Sequence, residues 1–385
     1  MNLTLTEEQA MIQDMAKKFA DSELAPVAAE LDMSNDQHLF QDNLAKLAEL
    51  GFMGLNVKAE YGGVEAGTVA FSLAITELAR ACASTAVTTS VTNMVAEVIQ
   101  AVGNEQQKQQ YLPKICSGEY KAGGFCLTEV SAGSDPAGMK TTATKEGDYY
   151  ILNGSKIYIT SGTFAGVFVV WAVTDSSAAK GKGISCFIVE ADIEGITIGK
   201  CEEKMGQKAS PTTEVHFNNC RIPASALMGK ENRGFAVAVG ELAGGRIGIG
   251  SLALGVGLAA MDYARQFVTE RQQFGQAIAN FQGIQWKLAE RYTDLEAARL
   301  LLMQAADLKE RGLAFGKAAS MAKLFASEKA NKACYDALQM LGGAGYIKEY
   351  PLERLARDVR ITTIYEGTSE IQKVIIARDL LKEVG

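Results

Sequence analysis

Histidine is nearly absent from this chain of 385 residues: only His38 and His216 occur, and His216 sits in the strand-like run EVHFNN. Two such residues do not furnish a histidine metal cluster or a Ser/His triad, so both chemistries are set aside. The seven cysteines (Cys82, Cys116, Cys126, Cys186, Cys201, Cys220 and Cys334) are odd in number and include no CxxC pair. That pattern speaks against a disulfide framework or a zinc site and for reduced thiols in a cytosol. Basic residues are in the minority, giving a net charge of −7, whereas a nucleic-acid binder normally shows a basic field. No run reaches the roughly 18 apolar residues of a membrane span. The nearest, Ile247 to Met261, is shorter and rich in Gly and Ala. The opening MNLTLTEEQAMIQDMAKKFA carries acids where an export signal has a basic segment followed by an apolar one. The expectation is a cytoplasmic protein with no membrane span and no nucleic-acid partner.

What is present is ample core material: 48% hydrophobic and 22% charged residues, with only six Pro among 38 Gly. Size scaling favours two or three domains sharing a continuous interior. From about residue 6 to 120, apolar residues recur at helical spacing, as in FQDNLAKLAELGF and VAFSLAITELARACA. From about 121 to 230 the texture is β. DYYILNGSKIYITSG reads as two alternating runs joined by a hairpin at Asn153-Gly154, and VFVVWAV, ISCFIVEA and TTEVHFNN follow. From about 231 onward long helical patterns return, closed by Gly-rich turns. The expected domains are therefore 1–120, helical; 121–230, β; and 231–385, helical, an α+β multidomain architecture.

Several segments invite a functional reading, and each has a plainer one. GVGLAA at 255–260 matches a loose dinucleotide fingerprint, yet it lies in a helical run with no preceding strand, and its small residues fit close helix packing better. GGAG at 342–345 ends a helix and reads as a left-handed cap followed by a turn, although its bare amides could touch a diphosphate. Arg271 in RQQFG reads alone as surface. TEVSAGSD at 128–135 could wrap a polar ligand or be a simple turn. In IYEGTSEIQ, Glu366 and Gly367 precede a helix start where Ser369 and Gln372 have capping-box spacing, and an acid there suits a helix N-terminus.

Taken in order, TEVSAGSD, KIYITSG (156–162), RQQFG with FQ (271–275 and 281–282), QMLGGAGY (339–346) and YEGTSEIQ (365–372) resemble the acyl-CoA dehydrogenase family over essentially the whole chain. The likeness is closest to its short-chain and bacterial branches. The resemblance implies an N-terminal all-α domain, a central β-barrel-like domain and a C-terminal four-helix bundle, assembled as a homotetramer in which a neighbouring subunit completes the FAD site. It implies a flavoprotein of fatty-acid β-oxidation that converts an acyl-CoA to the trans-2-enoyl-CoA and passes electrons to an electron-transferring flavoprotein. Carried over, Glu366 is the catalytic base. Thr128 and Thr160 bond the flavin ring with Tyr158 beside it, Arg271 pairs with the diphosphate, and Phe274, Gln339, Gly343, Thr368 and Glu370 complete the FAD shell. Ser134 meets the pantetheine arm; Arg246, Ser90, Met94, Tyr365 and Gly367 are the other implied substrate contacts.

The chemistry explains the combination. Oxidising an unactivated Cα–Cβ bond needs a hydride acceptor, which side chains lack, and a carboxylate to take the α-proton, whose pKa should rise in a closed apolar pocket. Three departures from the family pattern stand out: Val130 and Ser131 replace Pro and Gly, Ser161 replaces Asn, and Ala243 stands where an Asp commonly orients the substrate-side Arg. Some branches carry the base near Arg246, but Gly244 and Gly245 cannot act as one. Rival expectations are an acyl-CoA oxidase or a glutaryl-CoA-type decarboxylating relative, and a catalytically silent CoA- or flavin-binding assembly protein. Ser90 and Met94 do not fix the acyl pocket's depth; a short or branched acyl group is expected, and Glu97 reads as an ordinary surface acid more readily than as a polar contact for an unusual one.

Overall fold

The computed structural model describes residues 4–383. Helix α1 (Glu7–Phe19) opens with a reciprocal cap: Gln9 N donates to Thr6 Oγ1 at 3.2 Å and Thr6 N to Gln9 Oε1 at 3.0 Å. Helices α2 (Ala28–Ser34), α3 (Gln37–Glu49), α4 (Gly67–Ala81), α5 (Ala83–Val102) and α6 (Glu105–Cys116) complete the first unit. Both α4 and α5 are buried on nearly every side, which explains their apolar, small-residue composition.

Strands β1 (Gly123–Cys126), β2 (Thr142–Glu146), β3 (Tyr149–Thr160), β4 (Val167–Val173), β5 (Ile184–Glu190), β6 (Ile196–Cys201), β7 (Thr212–Pro223) and β8 (Leu227–Met228) form one sheet. Its order is β6-β7-β3-β2-β4-β5-β8, with β1 parallel to β4. Both faces of β4 are buried, which explains its unbroken apolar run. Val167, Val169 and Trp171 face the helices, among them Val95 and Ile99 of α5, while Phe168, Val170 and Ala172 face an inner core with Tyr150, Phe187 and Phe217. The sheet curls around that inner core but leaves β6 and β8 as edges, so it is barrel-like and open.

The Asn153-Gly154 hairpin is corrected. Residues 149–160 form a single strand, and the turn is Gly147-Asp148, joining β2 to β3. The Asn-Gly pair marks an irregularity in the β3–β7 register instead, between Leu152 and Gly154. Gly154 (φ +143) lies so close to Thr141 that an added Cβ would come within 2.7 Å of its Cα, and Asn153 Oδ1 accepts from Asn219 N at 2.8 Å. The dipeptide is consumed by the close approach of the neighbouring chain at Thr141, just before β2.

Helix α7 (Gly234–Glu270) runs the length of the C-terminal unit. A short hairpin, β9 (Gln272–Gln273) and β10 (Gln276–Ala277), follows, then α8 (Gln282–Glu310), α9 (Gly316–Leu341), α10 (Gly343–Tyr346), α11 (Leu352–Arg360) and α12 (Ser369–Lys382). Helices α7, α8 and α9 pack on one another, and α11 and α12 on α9. α7 and α9 run in the same direction, since Gly250 faces Lys323 and Gly257 faces Ala330. α7 is long and apolar enough to cross a membrane, yet it is mostly buried inside the protein, wedged also against α4 and α5. One hydrophobic core joins residues from Ile12 to Val359, so the helical units share an interior.

The GVGLAA segment is part of that wedge. A Cβ at Gly255 would collide with the backbone carbonyl of Thr76 on α4. Gly255→Val is therefore expected to destabilise the protein by roughly 1–3 kcal/mol, the usual range for overpacking; urea unfolding at fixed protein concentration measures it, and an unchanged midpoint would show that α4 and α7 can part freely.

Candidate active site

The chain leaves α11, makes a short 3₁₀ turn at Ile361–Thr363, and enters α12 through two consecutive left-handed residues, Glu366 (φ +55) and Gly367 (φ +91). For Glu this conformation is costly and is retained only where the surroundings enforce it. The expected Ser369/Gln372 capping box is corrected. Thr368 is the N-cap, its Oγ1 accepting from Ile371 N at 3.3 Å, and Ser369 is the first helical residue, buried. Gln372 reaches past the cap, its Nε2 donating to the carbonyls of Gly367 (2.9 Å) and Glu366 (3.2 Å), because the left-handed pair presents both to the helix's first turn.

The turn delivers Glu366 to α7. A Cβ at Gly245 would stand 2.7 Å from Glu366 Oε2 and 2.8 Å from Met94 Sδ on α5, so the helix passes the carboxylate only because it has glycine there. Oε2 is inaccessible and has no hydrogen-bond partner among the described residues. Burial pushes the carboxyl up to about 7, opposed by the positive charges of Arg246 and Lys323. Arg246 is itself buried, with Nη1 donating to Ser320 Oγ at 3.3 Å and Nε unpartnered among the described residues. Ala243 offers no acid to complete its fork, as the sequence implied. Ser90, four residues before Met94 on α5, is buried against Gly248 of α7.

Three residues here were missed in the sequence. Lys323, on α9, is fully buried and its Nζ donates to Gly367 O at 2.8 Å. Gln207 bridges the β unit to the site: its Nε2 donates to Tyr365 Oη and to Asp358 O, both at 3.1 Å. Asp358, buried on α11, accepts from Gln207 N, and burial raises its carboxyl to about 6. Lys323 had a readable signal, a charge on the stripe Ala319, Ala322, Ala326, Ala330 of an apolar helix face; Gln207 had none.

On the β side, Thr128, Glu129, Val130, Ile157, Tyr158 and Glu202 line a cavity of about 260 Å³. Ile157 N donates to Thr128 O at 2.9 Å, and buried Lys156 donates to Glu129 (2.8 Å) and Leu127 O (3.2 Å), so the segments carrying Thr128 and Tyr158 are clamped together. The Tyr158 ring is 65% exposed with φ +59, two residues before the half-buried Thr160. A second cavity, about 410 Å³, includes Thr368 and Glu370 at the start of α12 with Asn331 and Arg360. Ser134 is exposed on its loop.

Four other expected cofactor residues lie elsewhere. Arg271 and Phe274, the latter 92% exposed, sit on the β9–β10 hairpin past the end of α7, and Gln339 and Gly343 at the end of the parallel α9. With a rise of about 1.5 Å per residue, the two groups are roughly 25–30 Å beyond the level of Gly250 and Lys323. The structure thus divides the expected FAD shell into two sets at opposite ends of one bundle. The near set fits a flat, polar-edged ring: the exposed Tyr158 lines one cavity with Thr128, Thr160 follows two residues on, and Thr368 and Glu370 line the other.

Models of the acyl-CoA dehydrogenase N-terminal, middle and C-terminal domains match residues 6–119, 124–220 and 232–381. The chain is 42% identical over 383 residues to the short-chain specific acyl-CoA dehydrogenase of Clostridium acetobutylicum, covering 99% of this chain and 100% of that one. Butyryl-CoA dehydrogenase from Megasphaera elsdenii superposes with a TM-score of 0.95 at 39% identity, covering 99% and 100% of the two chains. A chain in the structure described as the electron transferring flavoprotein of Acidaminococcus fermentans, towards a mechanism of flavin-based electron bifurcation, gives a TM-score of 0.96 at 43% identity, covering 99% and 100%. This chain belongs to the acyl-CoA dehydrogenase family. It is accordingly an oxidoreductase whose cofactor is FAD.

The Gly245 contact is directly testable. Gly245→Ala should fold, since alanine favours helix by about 1 kcal/mol over glycine. Its methyl would displace the Glu366 carboxylate, so kcat should fall about 10- to 100-fold, the usual cost of misplacing a reacting group. Steady-state kinetics decide it: a wild-type kcat would mean that Glu366 does not work against α7.

Proposed function

We propose that this protein oxidises a short or branched acyl-CoA thioester to the trans-2-enoyl-CoA, with Glu366 as the base. The observation that carries the reading is the buried Glu366 Oε2, without a partner among the described residues, set against Gly245 of α7 and under the charges of Arg246 and Lys323. In the ionised form this oxygen takes the proton from the substrate Cα. With its carboxyl raised to about 7, Glu366 is a far stronger base than an exposed glutamate and is about half ionised at neutral pH. As the proton moves, Glu366 becomes neutral and negative charge appears on the thioester; until then the buried Arg246 and Lys323 help to keep Glu366 ionised against the effect of burial. FAD, when bound, supplies the hydride-accepting capacity that no side chain has.

Thr128, Tyr158, Thr160, Thr368 and Glu370 are the residues of this chain that would hold the flavin end. Arg271, Phe274, Gln339 and Gly343 would serve the cofactor of a neighbouring copy, which the separation of roughly 25–30 Å along the bundle supports. An almost fully exposed Phe274 on a projecting hairpin supports the same homotetrameric reading. Short acyl groups are favoured because α5 and α7 touch where Ser90 meets Gly248, one turn beyond Met94 and Gly245. Ser134, Tyr365 and Gly367 would contact the thioester and its pantetheine arm. The electron acceptor we assign is an electron-transferring flavoprotein, supported by the likeness to the A. fermentans structure, and the compartment is the cytoplasm, supported by seven cysteines that are all free.

The test is anaerobic bleaching of the yellow holoenzyme by acyl-CoAs of four to sixteen carbons, straight and branched. Short or branched members should bleach it, and Glu366→Gln should keep its FAD yet bleach about 10²- to 10⁴-fold more slowly, the range for loss of a general base. Failure of every acyl-CoA to bleach the wild type would overturn the reading. Because the base must be ionised and burial raises its pKa, kcat should fall as pH drops through about 7, measured as a pH–rate profile.

A further inference from the structure

Lys323 is a charged side chain with no exposed surface, set on α9 among Ala319, Ala322 and Ala326. Burying an ammonium costs several kcal/mol unless something offsets it. Among the described residues no carboxylate lies within ion-pair distance of it, and its one hydrogen bond is to Gly367 O, at 2.8 Å. That carbonyl also accepts from Gln372, and it belongs to the residue after Glu366 in the left-handed pair. Lys323 therefore secures the strained turn from the α9 side while Gln372 secures it from α12.

The charges around this point are few. Glu366 is faced by Arg246 from α7 and Lys323 from α9, with the Tyr365 phenol next to it. Lys323 is faced by Glu366, Arg246, Glu370 of α12 and Glu328 of its own helix. Arg246 in turn feels Arg378 and Asp379 of α12. Of the two cations bearing on Glu366, only Lys323 also holds the turn that carries it.

We propose that Lys323 is a positioning residue for the base, pinning the Glu366–Gly367 turn through the Gly367 carbonyl and setting a fixed positive charge beside the Glu366 carboxylate. This rests on the dehydrogenase reading for its functional meaning, but the structural claim is testable without turnover. Burial lowers the Lys323 ammonium to about 8, which leaves it charged near neutrality. Its charge favours the ionised carboxylate, so removing it must raise the pKa of Glu366 further and move the acid limb of activity to higher pH.

The experiment is an infrared titration of the Glu366 carboxyl, its band identified by its loss in Glu366→Gln, on wild-type holoenzyme and on Lys323→Met and Lys323→Gln. Both variants should keep the yellow FAD spectrum and shift the titration midpoint up by about one unit, a typical effect of one nearby charge. In turnover, Lys323→Met should lose about tenfold or more in kcat at pH 7 with KM little changed. Lys323→Gln, which keeps a donor for Gly367 O, should recover part of kcat while the acid limb stays displaced. Should Lys323→Met fail to accumulate folded, Lys323→Gln carries the test alone. An unmoved midpoint in a folded variant overturns the proposal; a wild type that bleaches with no acyl-CoA overturns the dehydrogenase reading and leaves the titration result standing.

Discussion

The structure depends on how closely α7 is allowed to approach its neighbours. Buried along most of its length, it touches α4 at Gly255, α5 at Gly248, α8 at Gly250 and Gly257, and the Glu366 carboxylate at Gly245. Each contact is closer than a side chain would permit, and each lies on a different side of the helix or at a different height. A helix with this much glycine loses intrinsic stability, by up to about 1 kcal/mol per residue relative to alanine. It is stabilised instead by the core that closes over it, a single cluster reaching from Ile12 to Val359. The placement of Glu366 and the fold therefore share one constraint: the same absence of side chains that lets the helices meet also leaves room for its carboxylate.

Inside that frame the electrostatics are simple. One carboxylate oxygen is held without a partner among the described residues, in a backbone conformation that glutamate rarely adopts, and two buried cations bear on it. The unsatisfied oxygen and the strained turn would be defects in a purely structural region. They are reasonable at a place where a reacting group must stay basic and must not be tied up by a hydrogen bond.

Much of this was legible in the sequence. Helical, β and helical periodicity located the three regions, and the five motifs identified the family. What was lost has physical causes. Asn153-Gly154 satisfies the local rule for a tight turn, but its glycine is needed where Thr141, just before the paired strand β2, comes close, a contact between strands that no local rule encodes. Ser369 and Gln372 have the spacing of a cap, yet the left-handed residues before them move the cap to Thr368 and free Gln372 for the carbonyls. Lys323 was overlooked because a single charge in a long helix is commonly solvated, and only its neighbours at 319, 322 and 326 reveal otherwise. Gln207 acts across 151 residues of sequence to reach Asp358, beyond any pattern.

The division of the expected cofactor residues between the two ends of the bundle carries a thermodynamic consequence. If each flavin is held partly by one copy and partly by the next, FAD binding and subunit association are linked equilibria, and each strengthens the other by mass action. Occupancy then varies with the amount of protein as well as the amount of flavin. Dilution would release oxidised flavin into solution with no reduction at all, and a substitution on the distant hairpin could empty an active site whose own residues are untouched.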